Sequence, residues 1–379
     1  MRALVLGKGK SGAAAAATLR EQGYEVESVE GFDLVVASPG VPVKSELQVG
    51  CEELRRRGVK LLAVTGSKGK SSVVKIVAEA IERTGRRAVA CGNYGIPVCE
   101  VAVDWPDEQA DDSRWAVVEV SSFQLETTNL PPDTFEAAAI LNLQEDHLDR
   151  HGCVETYHAL KRRLLTFAKR GIDGEALSAE SGRAGNVDAA LWAGSYFDNE
   201  VLRGNAVCAV ELMRVAGLDD AEIAGAFRAF EPLPHRMNLV AEIDGVRYID
   251  DSKATSLAAL VAGVKMASSE HSNNRNVRLV AGGLPKGDDP NSALSTLTER
   301  VKKVYLIGQC AKVFFSAWKS AVDCEICGTM EVAVEGAMRD AEKGDVVLLS
   351  PGTASFDQFK SFGERGEAFA RLVKKGKKE

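Results

Sequence analysis

Residues 61 to 74, Leu-Leu-Ala-Val-Thr-Gly-Ser-Lys-Gly-Lys-Ser-Ser-Val-Val, constrain the fold more than any other stretch of the chain. The apolar run Leu61 to Val64 reads as a buried parallel strand. It stops at Thr65-Gly66, and helical spacing resumes after Ser71 with Val73, Val74, Ile76, Val77, Ala80 and Ile81. A strand, a turn carrying Gly-Lys-Ser and a helix together describe a phosphate cradle. Gly66 and Gly69 let the backbone fold tightly, so that successive N–H groups face anionic oxygens beside a helix N-terminus. Ser67, Lys68 and Ser72 fill out this nucleotide-binding turn. Lys70 is expected to reach the terminal phosphates, and the Ser71 hydroxyl to bind Mg²⁺. The spacing differs from the common P-loop, which has four residues between its first glycine and Gly-Lys. A lysine-rich turn with a purely structural role is the competing reading.

The remaining chain follows an α/β pattern. A length of 379 residues exceeds one ordinary domain. Segment 1–60 begins with a strand, Ala3 to Leu6, and the turn Gly7-Lys-Gly9-Lys-Ser-Gly12. An alanine-rich helix to Arg20 follows, then strands near Tyr24 to Val29 and Asp33 to Ser38. Gly-x-Gly-x-x-Gly after a strand is the dinucleotide fingerprint, but the segment has too few strands for a full dinucleotide domain. A nucleotide diphosphate suits it better than redox chemistry. Segment 61–231 offers strands at Arg87 to Cys91, Trp115 to Val120 and Ala137 to Leu143. Each ends in polar residues, where a parallel sheet presents its ligand-binding edge. Residues 171 to 200 read as loop or irregular structure. After Pro232-Leu-Pro234, segment 232–379 carries strands at Arg247 to Ile249, Arg278 to Ala281, Lys303 to Ile307 and Asp345 to Leu349, a second Rossmann-like sheet. Lys374 to Lys378 read as a solvated tail.

Composition excludes several classes. A net charge of −7 argues against a general nucleic-acid binder. No apolar stretch approaches the roughly 20 residues of a membrane span. The start, Met1 to Gly7, reads as a strand entering a turn rather than a signal peptide. Of eight cysteines, only Cys324 and Cys327 have Cys-x-x-Cys spacing, and no second pair completes a zinc site. Reduced, packing cysteines and a cytoplasmic setting are expected.

Several polar groups punctuate the strand ends. Glu119 closes Trp-Ala-Val-Val-Glu, where it is either an ordinary strand-end carboxylate or an acid that orients Mg²⁺. Glu145-Asp146-His147-Leu148-Asp149-Arg150-His151 suits either a Zn site or a mixed Mg²⁺/substrate site, and the upstream nucleotide motif favours Mg²⁺. His235-Arg236 follows the proline linker, where the arginine is suited to nucleotide phosphates. Asp250-Asp251-Ser252-Lys253-Ala254-Thr255 gathers acid, base and hydroxyl on one strand-to-helix turn, and Ser355, Lys360 and Phe362 lie in a similar late turn.

In this order, these segments resemble the Mur ligase superfamily, and most closely its D-glutamate-adding branch. The match rests on Val64-Thr-Gly-Ser-Lys-Gly-Lys-Ser-Ser72, Gly92-Asn-Tyr-Gly-Ile-Pro97, Glu119-Val-Ser-Ser-Phe-Gln-Leu-Glu126 and Leu141-Asn-Leu-Gln-Glu-Asp-His-Leu-Asp-Arg150. It continues through Leu233-Pro-His-Arg236 and Asp250-Asp-Ser-Lys-Ala-Thr255, and closes with the run from Leu348 to Gly366. Ser-Ser-Phe-Gln-Leu and Asp-Gln-Phe-Lys-Ser-Phe point to the D-glutamate-adding branch.

The resemblance implies three α/β domains. They are an abbreviated Rossmann-like UDP-binding domain (1–60), a central P-loop ATPase with a mainly parallel sheet (61–231) and a C-terminal Rossmann-like domain (232–379) that closes over the site. It implies a monomer using ATP and Mg²⁺ to join UDP-N-acetylmuramoyl-L-alanine to D-glutamate through an acyl phosphate. By position, Lys70, His147, Lys161 and Lys253 match catalytic residues, and Ser71, Glu119, His147 and Lys161 the Mg²⁺ shell. The family carries the equivalent of Lys161 as a carbamate. Asn205, Arg236 and Asp251 match ATP contacts. Ser11, Asn93 and Ser121 match the UDP-linked substrate's site; Lys253, Thr255, Lys286, Ser355 and Phe362 match the D-glutamate pocket. Lys68 departs from the family, which usually has asparagine there, and the first segment and residues 165 to 205 look abbreviated. The rival readings are another Mur ligase, a folylpolyglutamate synthetase and a non-catalytic nucleotide-binding relative. A dehydrogenase reading rests on the glycine fingerprint alone.

Overall fold

A computed structural model describes residues 1–30, 43–105, 113–144, 148–179, 187–268 and 275–376. The chain forms two compact units, one of residues 1–198 with 202–230 and the other of residues 199–201 with 231–379. The expected strand at Asp33 to Ser38 lies outside the described residues.

The first unit opens with β1 (Arg2–Leu6), α1 (Lys10–Glu21), β2 (Glu25–Val29) and α2 (Glu46–Arg56). β1 and β2 pair in parallel. Ser45 caps α2 by accepting the Gln48 N–H. This helix buries Leu47, Cys51 and Leu54 in the apolar core of the central sheet.

The central sheet takes β3 (Lys60–Thr65), α3 (Lys70–Arg83), β4 (Arg87–Gly92), α4 (Val98–Asp104), β5 (Arg114–Glu119), α5 (Ser122–Thr127) and β6 (Phe135–Ile140). It continues with α6 (Leu148–His151), α7 (Val154–Arg163), β7 (Ala168–Asp173), α8 (Gly174–Ala179), α9 (Arg203–Val215) and α10 (Asp220–Ala229). Its strands are all parallel in the order β4-β5-β3-β6-β7. Every residue of β5 is buried, as expected of a strand covered on both faces. Because β3 lies between β5 and β6, its C-terminal end is the point where the strand order reverses, and ligands bind there in such sheets.

The structure corrects the reading of residues 171–200 as irregular. β7 begins before that stretch and runs into it, α8 follows, and Ala189–Leu191 form a short 3₁₀ turn. Aromatic anchoring, rather than helical periodicity, orders the end of this stretch. Phe197 meets Phe227 and Phe230 at 5.3 and 5.2 Å between ring centres, and Trp192 meets Phe227 at 6.2 Å.

The second unit contains β8 (Asn238–Ile243), β9 (Val246–Asp250), α11 (Leu257–Ala267), β10 (Val277–Gly282), α12 (Leu294–Arg300), β11 (Val301–Ile307) and α13 (Ala311–Trp318). β12 (Asp323–Gly328), α14 (Met330–Asp340), β13 (Val346–Leu349) and α15 (Phe362–Gly376) complete it. The strand order is β12-β11-β10-β13-β9-β8, parallel except for the β8–β9 hairpin. Two of its strands, β8 and β12, are additional to those expected. Asp244 and Gly245 both have positive φ, at 52° and 77°, so Asp-Gly forms the tight turn between β8 and β9. On β12, Cys324 packs against one apolar core and Cys327 against another. Both are free thiols. The expected lysine tail begins inside α15, whose last turn holds exposed Lys374 and Lys375 near the negative end of the helix dipole.

Candidate active site

The phosphate turn leaves β3 at Thr65, whose hydroxyl donates to the Val120 carbonyl at 2.8 Å. Gly69 caps α3 at φ +84°. A side chain there would strain the backbone and place its Cβ 1.9 Å from Asn205 Nδ2. Lys70 is the first residue of α3, and its ammonium donates to the turn's own carbonyls, Gly66 O at 2.7 Å and Ser67 O at 3.1 Å. Ser71 and Ser72 follow in the first helical turn, whose N–H groups have no acceptor within the helix. They form the donor surface of the cradle.

One residue that the sequence reading did not single out holds this turn in shape. Asn142, just beyond β6, accepts the Lys68 N–H at 2.9 Å and donates through Nδ2 to Lys68 O at 2.9 Å. The same amide donates to Asn205 Oδ1 at 3.2 Å, and its backbone carbonyl accepts the Ser67 N–H at 3.0 Å. Asn205 is buried in the first turn of α9. The sequence signals for Asn142 were its place after an apolar strand and its position in the Leu141 to Arg150 motif, where it was given no role.

Lys161 and Tyr157 touch the turn, and Glu119 ends the strand next to β3. Lys161 of α7 is 1% exposed and donates to Gly66 O at 2.9 Å, and its ammonium lies 4.6 Å from the centre of the Tyr157 ring. The Tyr157 hydroxyl is 3.1 Å from Ser67 Oγ. Glu119 ends β5 in register with Val64 and is 2% exposed. Its Oε1 accepts from Asn93 Nδ2 at 2.7 Å, whereas buried Oε2 has no hydrogen-bond partner among the described residues. An orphaned buried carboxylate oxygen is costly unless a cation completes it, so Glu119 fits a hard divalent ion, the kind of ion that a serine hydroxyl such as that of Ser71 also suits. Among the described residues, no cluster of three His, Cys, Asp or Glu side chains converges on a metal position. His147, assigned to the same shell, lies outside the described residues, as do Glu145 and Asp146.

Ser121 is the N-cap of α5. Its hydroxyl accepts the Gln124 N–H, and Gln124 Oε1 accepts the Ser121 N–H at 2.9 Å. Ser11 is exposed in the first turn of α1. A cavity of about 320 Å³ lies between α1 and the segment from Gly95 to Val103, lined by Lys10, Ala13, Ala17, Ile96, Pro97 and Glu100. Asn93 precedes that segment, exposed.

In the second unit, the tips of β9, β10 and β13 carry the other candidates. Asp251 is buried and accepts from Ser350 Oγ at 2.9 Å; burial raises its carboxyl pKa to about 7. The half-buried Lys253 has its ammonium 4.1 Å from the centre of the Phe362 ring. Burial lowers its pKa, and the charges of Arg236 and Lys286 lower it further. Thr255 is half-buried, Lys286 is exposed and Ser355 is buried.

Arg365, quoted in the closing motif but given no role there, ties the two strand-end turns together. Its buried guanidinium donates to Ser252 O and Oγ, Thr353 O and Ala354 O, and burial lowers its pKa to about 10.

A phosphate cradle at a sheet's reversal point, with a polar strand-tip cluster on a second parallel sheet, defines a nucleotide-dependent α/β enzyme. Residues 64–173 match the Mur ligase middle domain, and residues 235–353 match the Mur ligase glutamate ligase domain. The chain is 33% identical to the UDP-N-acetylmuramoylalanine–D-glutamate ligase of Acidobacterium capsulatum, over 98% of this chain and 96% of that protein. It is 34% identical to the ligase of the same name from Methylobacillus flagellatus, over 90% and 83%. The chain belongs to the Mur ligase family. Its fold is similar to MurF ligase from Thermotoga maritima, solved in complex with ADP, with a TM-score of 0.62, 16% identity and coverage of 100% and 95%. The Acidobacterium alignment runs over 456 positions against 379 residues here, so this chain is a shortened version of the architecture.

Proposed function

We propose that this protein is an ATP-dependent ligase that joins UDP-N-acetylmuramoyl-L-alanine to D-glutamate in peptidoglycan precursor synthesis. The observation that carries the reading is the turn from Gly66 to Ser71, pinned by Asn142 and Asn205, on a sheet whose next strand ends in Glu119 with an orphaned buried oxygen. Near full-length similarity to ligases of that name supports the choice of substrates. In this reading residues 1–60 serve the UDP moiety, 61–231 the ATP and 232–379 the amino acid. The protein acts in the cytoplasm, as a monomer.

A carboxylate is a poor electrophile. An oxygen of the L-alanyl carboxylate attacks the γ-phosphorus of ATP, ADP leaves, and the resulting acyl phosphate has a good leaving group. The neutral amine of D-glutamate adds to its carbonyl; the tetrahedral adduct expels phosphate, and the nitrogen loses a proton. Lys70 exchanges its turn carbonyls for phosphate oxygens, and Arg236, Asp251 and Asn205 hold the nucleotide. Ser71, Glu119, His147 and Lys161, the last as a carbamate, would hold Mg²⁺, which neutralises charge on the phosphates. Asn93, Ser121 and Ser11 orient the UDP-linked substrate. Lys253 and Lys286 pair with the two carboxylates of D-glutamate, beside Thr255, Ser355 and Phe362. Catalysis then rests on positioning and charge neutralisation.

The test is phosphate release from ATP and Mg²⁺ with UDP-N-acetylmuramoyl-L-alanine, comparing D-glutamate, L-glutamate, L-alanine and no amino acid. Release that depends on D-glutamate is the expected result. Equal release with L-glutamate, or none with any amino acid, rejects the reading.

A further inference from the structure

One side-chain cluster in the second unit has no part in the chemistry above. His235 has φ +60° and Met237 φ +54°, in the left-handed region that non-glycine residues rarely occupy. Such backbone persists only where its surroundings hold it. Here Nδ1 of His235 lies 2.7 Å from Oδ2 of Asp250, and Oδ1 of that carboxylate accepts the Ser252 N–H at 2.9 Å. The Asp250 carboxylate is buried, so removing its partner would leave a costly charge. A carboxylate only accepts, so Nδ1 carries the proton and the ring is fixed in orientation.

Two other contacts lead from His235 to the candidate amino-acid pocket. Its backbone carbonyl accepts the Lys253 N–H at 3.0 Å. Its ring meets Phe362 edge to face at 6.1 Å, and the ammonium of Lys253 rests 4.1 Å from the centre of that same phenyl ring. Both ends of Lys253 are therefore referenced to one residue, the backbone directly and the ammonium through Phe362. Helix α15 approaches this corner only because position 366 is glycine. A Cβ there would fall 2.2 Å from His235 Nδ1 and 2.5 Å from Asp250 Oδ2.

We propose that His235, anchored by Asp250, is a positioning residue that sets Lys253 and Phe362 to receive the amino-acid substrate. The proposal rests on the ligase reading and adds a specificity determinant to it. A lysine on a flexible four-carbon stem has many rotamers, and a pocket for a dicarboxylate needs one of them.

The experiment measures KM for D-glutamate and for UDP-N-acetylmuramoyl-L-alanine, with melting temperature, in the wild type, His235→Ala and His235→Asn. Asparagine tolerates positive φ and places an amide N–H close to the position of Nδ1, so it keeps the bond to Asp250. His235→Ala should raise KM for D-glutamate about tenfold, as expected from one lost hydrogen bond to a charged group. KM for the UDP-linked substrate should stay within about twofold. His235→Asn, which keeps the bond to Asp250 but lacks the ring that meets Phe362, should recover part of the loss. An unchanged D-glutamate KM in His235→Ala overturns the proposal. So does a parallel rise in both KM values that follows the melting temperature, because that describes general destabilisation. A wild type without D-glutamate-dependent turnover instead sinks the ligase reading and this proposal together.

Discussion

Asn142 offers the sharpest test of how the phosphate turn is built. Its side-chain amide makes three hydrogen bonds: it accepts from Lys68 N and donates to Lys68 O and Asn205 Oδ1. Each is worth about 1 kcal/mol net, and the residue is only half-buried, so Asn142→Ala should weaken the prepared turn by about 2 kcal/mol. That corresponds to roughly 30-fold in ATP affinity. Asn142→Asp is nearly isosteric but should be worse. It keeps the bond from Lys68 N, turns both donated bonds into oxygen–oxygen repulsions and adds a negative charge beside the phosphates. A further tenfold loss or more is expected, on the order of 1.4 kcal/mol. Titration calorimetry with ATP gives the affinities, and thermal melting shows whether the fold survives. Asn142→Asp binding ATP as well as wild type, or more tightly than Asn142→Ala, would refute the argument.

Other perturbations probe separate parts of the account. Lys70→Ala should lower turnover on the order of 10²-fold or more with little change in melting temperature, read by steady-state ADP formation. Gly366→Ala should destabilise the second unit by about 2 kcal/mol, because its Cβ would collide with His235 and Asp250; calorimetric melting measures it. Burial raises the folded-state pKa of Asp251 to about 7 from an unfolded value near 3.8. Between those values the folded protein holds the proton that the unfolded chain has lost, so this group's contribution to stability falls as pH rises from about 4 to 7. Asp251→Asn should therefore gain stability relative to wild type across that window and no further above it, as read by denaturant unfolding at several pH values.

Much of the architecture is legible in the residues. Leu61 to Val64, Gly66 to Lys70 and the apolar spacing after Ser71 give strand, turn and helix within a residue or two of their observed limits. The acids and amides at strand ends, Glu119 and Asp250-Asp251, lie at sheet edges as the alternation implies. What escaped was mostly set by partners distant in sequence. Asn142 shapes a turn 74 residues earlier, and Arg365 bonds to Ser252 113 residues before it. Asn142 was legible only as a polar residue at a strand end and Arg365 only as part of the closing motif, and neither place says what the side chain bonds to. The Phe197 cluster orders a stretch whose own periodicity is weak, through rings supplied by α10 and Phe230. The β8–β9 hairpin is different. Asp244-Gly245 between two β-rich runs is a strong local turn signal, and β8 was there to be read.

The most direct test of the central claim follows the oxygen. UDP-N-acetylmuramoyl-L-alanine labelled with ¹⁸O in its carboxylate is converted with ATP, Mg²⁺ and D-glutamate, and the released phosphate is weighed by mass spectrometry. The carboxylate oxygen that attacks phosphorus leaves with the phosphate when nitrogen displaces it. One ¹⁸O per phosphate, together with a labelled amide product and dependence on D-glutamate, is the predicted result. Unlabelled phosphate would mean that water had cleaved ATP, and it would contradict activation of the substrate as an acyl phosphate.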